Sequence, residues 1–270
     1  MIYCTISTKD RFWNFALTML CLANAERPAG LYVEVYDDAS GELQPARADL
    51  LADLVVRGIV QNVTWQRPGR GYNAAFDAFL QRLAGDATIT HWLHLDDDLC
   101  FSADTLVRLV ADYDRWLARG CLYGFVNAWQ NFLRGHCNGP LWKVRELGGC
   151  AFVMSRATAL TIRDVFATAA GRAGRHEEMW AVLRRERETL ACNRDEPYLM
   201  QHTANAESML HGRQEGWRDA WSRDLRTGEL IDVPPYGVTE LRAAVDAGQL
   251  EQFVRDANER AAVPVTLPAA

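Results

Sequence analysis

The sequence predicts an α/β fold with a mixed sheet that is mainly parallel in its first half and flanked by helices. Strand-like and helix-like segments alternate from residue 2 to residue 95, and this alternation is typical of a parallel sheet covered by helices. Of the 270 residues, 49% are hydrophobic, which supplies enough apolar surface for a sizeable core and excludes a disordered chain.

The spacing of apolar residues predicts each element of this first half in turn. The predicted strands are 2–7, 31–36, 60–65 and 89–95, and the helices between them are 12–23, 48–56 and 74–83. Ligands of such sheets bind at the carboxyl ends of the strands. We therefore expect functional residues at 7–9, 37–38, 70–71 and 96–98.

The second half begins with a predicted helix that ends at Gly120. Ser102 suits its N-cap, and apolar residues recur at helical spacing from Leu106 to Leu117. Strands are predicted over 122–126 and 150–154, with a long aromatic and polar segment between them that is typical of a binding loop. A charged helix is expected over 176–190, followed by a helix-like stretch that begins at Asp195 and contains His202.

Charge and composition narrow the class of protein. The 29 Lys and Arg residues against 35 Asp and Glu residues give a net charge of −6, which does not favour general binding to nucleic acid or anionic membranes. No segment is apolar enough for a membrane span, and no secretory signal is visible. The seven cysteines have no CxxC spacing, which favours reduced thiols and a cytoplasmic location.

Three consecutive aspartates, Asp96, Asp97 and Asp98, follow the fourth strand. Adjacent carboxylates repel one another unless a cation lies among them, and a divalent cation is a common partner in such a place. Asp96 and Asp98 point the same way from an extended backbone, so both can reach one metal ion. The alternative is an acidic turn that stabilises the start of the next helix.

A glycine-rich turn at Gly69 and Gly71 matches, with Ala74, a relaxed dinucleotide-binding fingerprint. This match would indicate an NAD(P)-dependent oxidoreductase. However, it follows the third predicted strand rather than the first, and Pro68 interrupts the segment before it. The oxidoreductase therefore stands as an alternative.

The Asp96–Asp98 motif resembles the DXD motif of nucleotide-sugar-dependent GT-A glycosyltransferases of the GT2-like kind. Five further segments resemble motifs of the same family in the same order: the opening strand and loop at 5–11, the nucleobase-reading element at 35–40, the glycine-rich turn and Asn-bearing helix at 69–75, the Gly-Gly strand at 148–156 and the acidic catalytic element at 194–199. Ala39 stands where the family usually has glycine, and Asp195-Glu196 replaces the common Glu-Asp order.

The resemblance implies a Rossmann-like GT-A sheet and a divalent metal ion, Mn²⁺ or Mg²⁺. Asp98, Asp96 and His211 would hold the metal, with His202 as the other histidine considered. The implied nucleotide-binding residues are Ser7, Lys9, Asp37, Asp38, Arg70, Asn73, Asp96 and Asp97. Arg70 would add a cation near the phosphates of a nucleotide-sugar donor such as a UDP-sugar.

The implied reaction moves a sugar to an acceptor hydroxyl by an inverting mechanism, with a retaining mechanism as the alternative. Glu196 is the expected general base and Asp195 its supporter or replacement. The expected acceptor-binding residues are Trp129, Trp142, Gly149 and Trp217. The acceptor is a saccharide, small molecule or protein, or alternatively a hydroxylated base in DNA, so nucleic acid enters only as an acceptor.

The expected domain organisation follows from these motifs. Residues 1–216 form the catalytic domain, with a nucleotide-binding half at 1–100 and an acceptor half at 101–216, and residues 217–270 form a C-terminal lid and helical appendage. A nucleotidyltransferase on a similar sheet and a binding module without activity are the remaining alternatives. The sequence does not predict the oligomeric state.

Overall fold

The computed structural model describes residues 1–10, 12–41, 44–101, 103–118, 123–126, 135–138, 141–144, 151–168, 190–193 and 200–202. The strands in these ranges are β1 (Ile2–Thr8), β2 (Leu31–Asp38), β3 (Asn62–Gln66), β4 (His91–Asp96), β5 (Leu99–Phe101), β6 (Tyr123–Val126), β7 (Gly135–Asn138), β8 (Leu141–Val144), β9 (Ala151–Ser155), β10 (Leu190–Asn193) and β11 (Met200–His202). The helices are α1 (Phe12–Asn24), α2 (Gln44–Val56), α3 (Tyr72–Gly85), α4 (Thr105–Leu117) and α5 (Arg156–Thr168).

The main sheet has six strands in the order β3-β2-β1-β4-β9-β6. Strands β3, β2, β1 and β4 are parallel, while β9 runs antiparallel to both of its neighbours. The prediction of a mixed sheet with a parallel first half is therefore confirmed. The chain builds outwards from β1 through β2 to β3 and then returns to add β4 on the other side, so the strand order reverses between β1 and β4. Such a reversal opens a crevice at the carboxyl ends of the strands, where ligands bind.

Two small antiparallel sheets accompany the main one, with the orders β10-β8-β7 and β11-β5. The segment predicted as a binding loop thus contains the hairpin strands β7 and β8. The prediction of a helix-like stretch at His202 was wrong, because Met200–His202 forms β11 and pairs with β5. Strands of three or four residues are too short to show a period-2 pattern, which is why the sequence did not predict them.

Buried aromatic side chains fill the space between the sheet and helix α3. Phe76 contacts Trp92 at 5.4 Å and Phe152 at 6.4 Å between ring centroids, and Phe79 contacts Tyr3 at 6.3 Å. Cys4 is a buried free thiol, as expected for a reduced cysteine, and burial raises its pKa to about 12. Among the helices that the structure describes, none is both long and apolar enough to cross a membrane.

Several predicted features lie outside the described residues. They are Ser102 as a helix cap, most of the charged helix over 176–190, and all of residues 203–270, including the lid and appendage. The proposed division at residue 216 therefore stays a prediction.

Candidate functional site at the carboxyl edge of the sheet

The pairing of β1 with its neighbours brings the predicted nucleotide-binding residues to one edge of the sheet. Ser7 pairs with Asp96 of β4, and Thr8 pairs with Asp37 of β2. The edge between β1, β2 and β4 therefore carries polar side chains from three strands. This is the place where the fold reverses its strand order.

The loops that follow β1 and β2 hold each other in place. The backbone N–H of Asp10 donates to Ser40 Oγ at 2.8 Å, and the N–H of Gly41 donates to Asp10 Oδ1 at 2.8 Å. Ala39 has φ +60°, a left-handed conformation that favours glycine. The position where the family usually has glycine thus keeps a glycine-like backbone with an alanine side chain.

Asp38 joins β2 to the glycine-rich turn. Its carboxylate accepts hydrogen bonds from the backbone N–H groups of Arg70, at 2.6 Å, and Gly71, at 2.9 Å, and lies 3.7 Å from Lys9 Nζ. A Cβ added at Gly69 would lie 3.2 Å from Ala39 Cβ, so glycine allows this close approach. The side chain of Lys9 is 42% exposed and Arg70 is exposed, so both cations face solvent at this edge.

Asp37 is fully buried and is held by two arginines. Its Oδ1 accepts from Arg67 Nη1 at 3.0 Å and from the N–H of Ser40 at 3.0 Å, and its Oδ2 lies 3.6 Å from Arg47 Nη1. Two cations so close to one carboxylate offset the cost of burying it.

Arg47 was not predicted as a site residue, yet its side chain is fully buried beneath this edge. Nη1 donates to Thr8 Oγ1 at 2.8 Å, Nη2 donates to the carbonyl of Asp10, and the guanidinium lies 4.5 Å from the ring centroid of Phe15. Thr8 Oγ1 in turn donates to Asp97 Oδ2 at 2.8 Å. Arg47 therefore links Asp37 of β2, through Thr8, to Asp97 of the triple-aspartate motif. A single arginine in an ordinary helical pattern gives no signal of this role.

The three aspartates occupy different environments. Asp97 and Asp98 are buried, whereas the Asp96 side chain is 25% exposed and lies 3.4 Å from His94 Nε2. Carboxylate oxygens are the ligands that Mg²⁺ and Mn²⁺ prefer. The described residues contain no group of three or more potential ligands, and a pair of carboxylates completed by donor phosphates is a usual way to bind Mg²⁺. The chemistry of Asp96 and Asp98 thus fits a divalent ion.

Strand β11 bears on the choice of a histidine ligand. His202 pairs with Leu99, the residue after Asp98, so the backbone of His202 lies beside the triple-aspartate motif. His211, the predicted ligand, lies outside the described residues.

The other predicted site residues are placed only in part. Ser7 and Asn73 are half-buried, and Asn73 lies in the first turn of α3. Trp142 lies in β8, which pairs with β7 and β10. The residues outside the described ranges are Asp195, Glu196, Trp129, Gly149 and Trp217.

Solved structures resemble this chain in fold. The mannosyltransferase PcManGT from Pyrobaculum calidifontis, in complex with GDP-Man and Mn²⁺, has a TM-score of 0.56 and 16% identity over 99% of this chain and 76% of its own. The chain has the GT-A fold. S. aureus TarS 1-349 has a TM-score of 0.54 and 14% identity over 75% of this chain and 60% of its own. No protein-family model and no curated protein sequence matches the chain.

The GT-A fold confirms the architecture that the six motifs implied. The chain spans 60% of the TarS 1-349 structure and 29% of another S. aureus TarS structure, to which it is 14% identical with a TM-score of 0.43. It thus covers less than two thirds of either TarS chain. The roles of individual residues stay predictions.

Proposed function

We propose that the protein is a metal-dependent glycosyltransferase that moves a sugar from a nucleotide-sugar donor to an acceptor hydroxyl. The observation that carries this proposal is the carboxyl edge at the strand reversal of a GT-A fold, where Asp96 pairs with Ser7 and Asp37 pairs with Thr8. The complex of PcManGT with GDP-Man and Mn²⁺ supports a donor of this class.

The edge suits a nucleoside diphosphate. Asp98 and Asp96 would hold the divalent ion, which when bound acts as a Lewis acid on the diphosphate. Lys9 and Arg70, both at the edge, would attract the remaining phosphate charge. Asp37 and Asp38 fix the surrounding loops through the contacts described above, and we assign them to the nucleoside side of the site.

We assign proton removal from the acceptor hydroxyl to Glu196, with Asp195 as its support or replacement, in an inverting reaction. Trp129, Trp142, Gly149 and Trp217 form the proposed acceptor side, since aromatic rings stack on sugar faces. His211 is the proposed third metal ligand, and the pairing of His202 with Leu99 favours His202 as a second candidate.

Replacing Asp98 tests the metal site. Thermal unfolding is measured with UDP, GDP and NAD⁺, each with and without Mn²⁺. We expect a nucleoside diphosphate with Mn²⁺ to raise the Tm of the wild type, because a ligand that binds only the folded state stabilises it. Asp98→Asn should abolish that rise, while Asp53→Asn, at a side chain 58% exposed on α2, should keep it. A rise that persists in Asp98→Asn contradicts the site, and stabilisation by NAD⁺ alone favours the oxidoreductase.

Replacing Glu196 tests the base. Glu196→Gln should lower the rate of sugar transfer by about 100-fold or more, because a lost general base costs about that much. The Kd of the nucleoside diphosphate should stay unchanged, since the base acts on the acceptor. Asp195→Asn is the matched variant, and a larger loss in that variant moves the role to Asp195.

A further inference from the structure

A chain of polar contacts runs through the buried centre of the sheet and ends at the site. Trp92 Nε1 donates to Thr5 Oγ1 at 2.9 Å, Thr5 Oγ1 lies 2.9 Å from His94 Nδ1, and His94 Nε2 lies 3.4 Å from Asp96 Oδ1. Trp92, Thr5 and His94 are fully buried, whereas Asp96 reaches the cleft at the end of β4. The four side chains therefore connect the core to the triple-aspartate motif.

The donor and acceptor groups of these side chains determine which atom carries the hydrogen at each contact. An indole N–H can only donate, so Thr5 Oγ1 accepts from Trp92 and its own hydrogen can go to His94 Nδ1. A neutral imidazole that accepts at Nδ1 carries its hydrogen on Nε2, which faces Asp96 Oδ1. The other tautomer would set a nitrogen lone pair against a carboxylate oxygen.

Aromatic neighbours fix the plane of the imidazole. Phe152 stacks on it at 5.1 Å with an interplanar angle of 29°, and Phe76 meets it edge-on at 4.9 Å and 66°. His94 and Asp96 lie two residues apart on β4, so their side chains leave the same face of the sheet. The ring therefore presents Nε2 to Asp96 in one defined direction.

We propose that His94 is a positioning residue that holds the Asp96 carboxylate for metal and nucleotide binding through its Nε2–H. The expected effect on metal and nucleotide binding rests on the proposed function, whereas the contact between His94 and Asp96 does not. A ligand that is already oriented has less freedom to lose on binding, and hydrogen bonds to metal ligands affect metal affinity by about 10- to 100-fold. Loss of the Nε2–H should therefore weaken nucleotide binding without loss of the fold.

The tautomer can be measured without ligand or metal. Long-range ¹H–¹⁵N spectra of the metal-free protein with ¹⁵N-labelled histidine should show His94 as a neutral ring with its hydrogen on Nε2. His94→Gln identifies the signal by its disappearance. A hydrogen on Nδ1 overturns the inference, whether or not the protein proves to be a transferase.

The binding test compares two replacements of His94 by titration calorimetry with UDP or GDP and Mn²⁺. His94→Phe keeps a ring but has no donor, so its Kd should rise by about 10-fold or more. His94→Gln retains an N–H donor and should stay within about 3-fold of the wild type. His91→Gln, at the start of β4 beside Asp114, is the control and should leave the Kd unchanged.

A double-mutant cycle separates positioning from packing. If His94 acts through Asp96, adding His94→Phe to Asp96→Asn should change the Kd by less than about 2-fold, because coupled residues are not additive. Full additivity, or equal losses in the Phe and Gln variants, overturns the inference. If the wild type binds neither nucleotide with Mn²⁺, the proposed function fails, and the tautomer still decides the contact.

Discussion

Arg47 is the residue on which the charge balance of the edge depends. Its buried guanidinium lies 3.6 Å from Asp37 Oδ2 and donates to Thr8, which donates to Asp97. A buried carboxylate that loses a cation is costly, and Asp37 would then keep Arg67, whose side chain is 44% exposed, as its cation. The edge therefore tolerates several aspartates because cations lie beneath and beside them.

Arg47→Met should lower the free energy of unfolding by about 3–5 kcal/mol, the usual cost of breaking a buried ion pair. Urea denaturation measures this change. Arg57→Met is the matched control, because Arg57 pairs with the exposed Asp53 at 3.2 Å and such a pair contributes less than about 1 kcal/mol. Similar losses in the two variants would contradict the role of Arg47.

The sequence predicted the place of a site residue where neighbouring residues formed a recognisable pattern. The triple aspartate after an apolar strand is such a pattern, and the structure brings Asp96 beside Ser7. Arg47 and Thr5 had no pattern, because their roles depend on contacts 39 and 89 residues away in the chain, to Thr8 and His94. Such contacts arise only when strands and helices pack.

At the scale of elements, the loops after β1, β2 and β3 form one interlocked unit. Asp38 accepts from the backbone of the glycine-rich turn, and Asp10 and Ser40 join the first two loops. Positive φ angles, which favour glycine, occur in these loops at Asp10, Ala39 and Gly71. Gly71 has φ 84° and ψ 168°, a region that other residues rarely adopt, whereas Ala39 has φ +60°.

Substitutions at Gly71 and Ala39 should change the stability of the protein in opposite directions. Gly71→Ala should destabilise the protein by about 1–3 kcal/mol through backbone strain. Ala39→Gly should stabilise it by about 0.5 kcal/mol, because relief of the left-handed alanine exceeds the added freedom of the unfolded chain. Gly85→Ala is the control, since a Cβ there meets nothing within 4 Å and φ is ordinary. Chemical denaturation of the three variants measures the signs, and destabilisation by Ala39→Gly would contradict the argument.

The parallel half of the sheet was predictable because its strands alternate with helices along the chain. The central strand β1 is buried along nearly its whole length, and its Ile, Tyr and Thr residues favour strands. The short strands β7, β8, β10 and β11 pair within small antiparallel sheets. Their pairing is decided by distant partners, and local sequence does not reveal it.

At the scale of the whole molecule, the buried His94 makes folding depend on pH. Its pKa is about 3 in the folded protein and about 6.5 in an unfolded chain. Between these values the unfolded state binds a proton that the folded state does not. Stability contributed by the neutral ring is therefore fully present above about pH 6.5 and is lost as the pH falls towards 3, by about 1.4 kcal/mol per pH unit.

Urea denaturation of the metal-free protein from pH 7 to pH 4.5 measures this loss. Carboxylates also titrate over the range, so the quantity of interest is the difference between wild type and His94→Gln. That difference should change by about 1.4 kcal/mol per pH unit below about pH 6, because only the wild type loses the histidine contribution. Identical pH slopes in wild type and His94→Gln would show that His94 gains its proton in the folded protein.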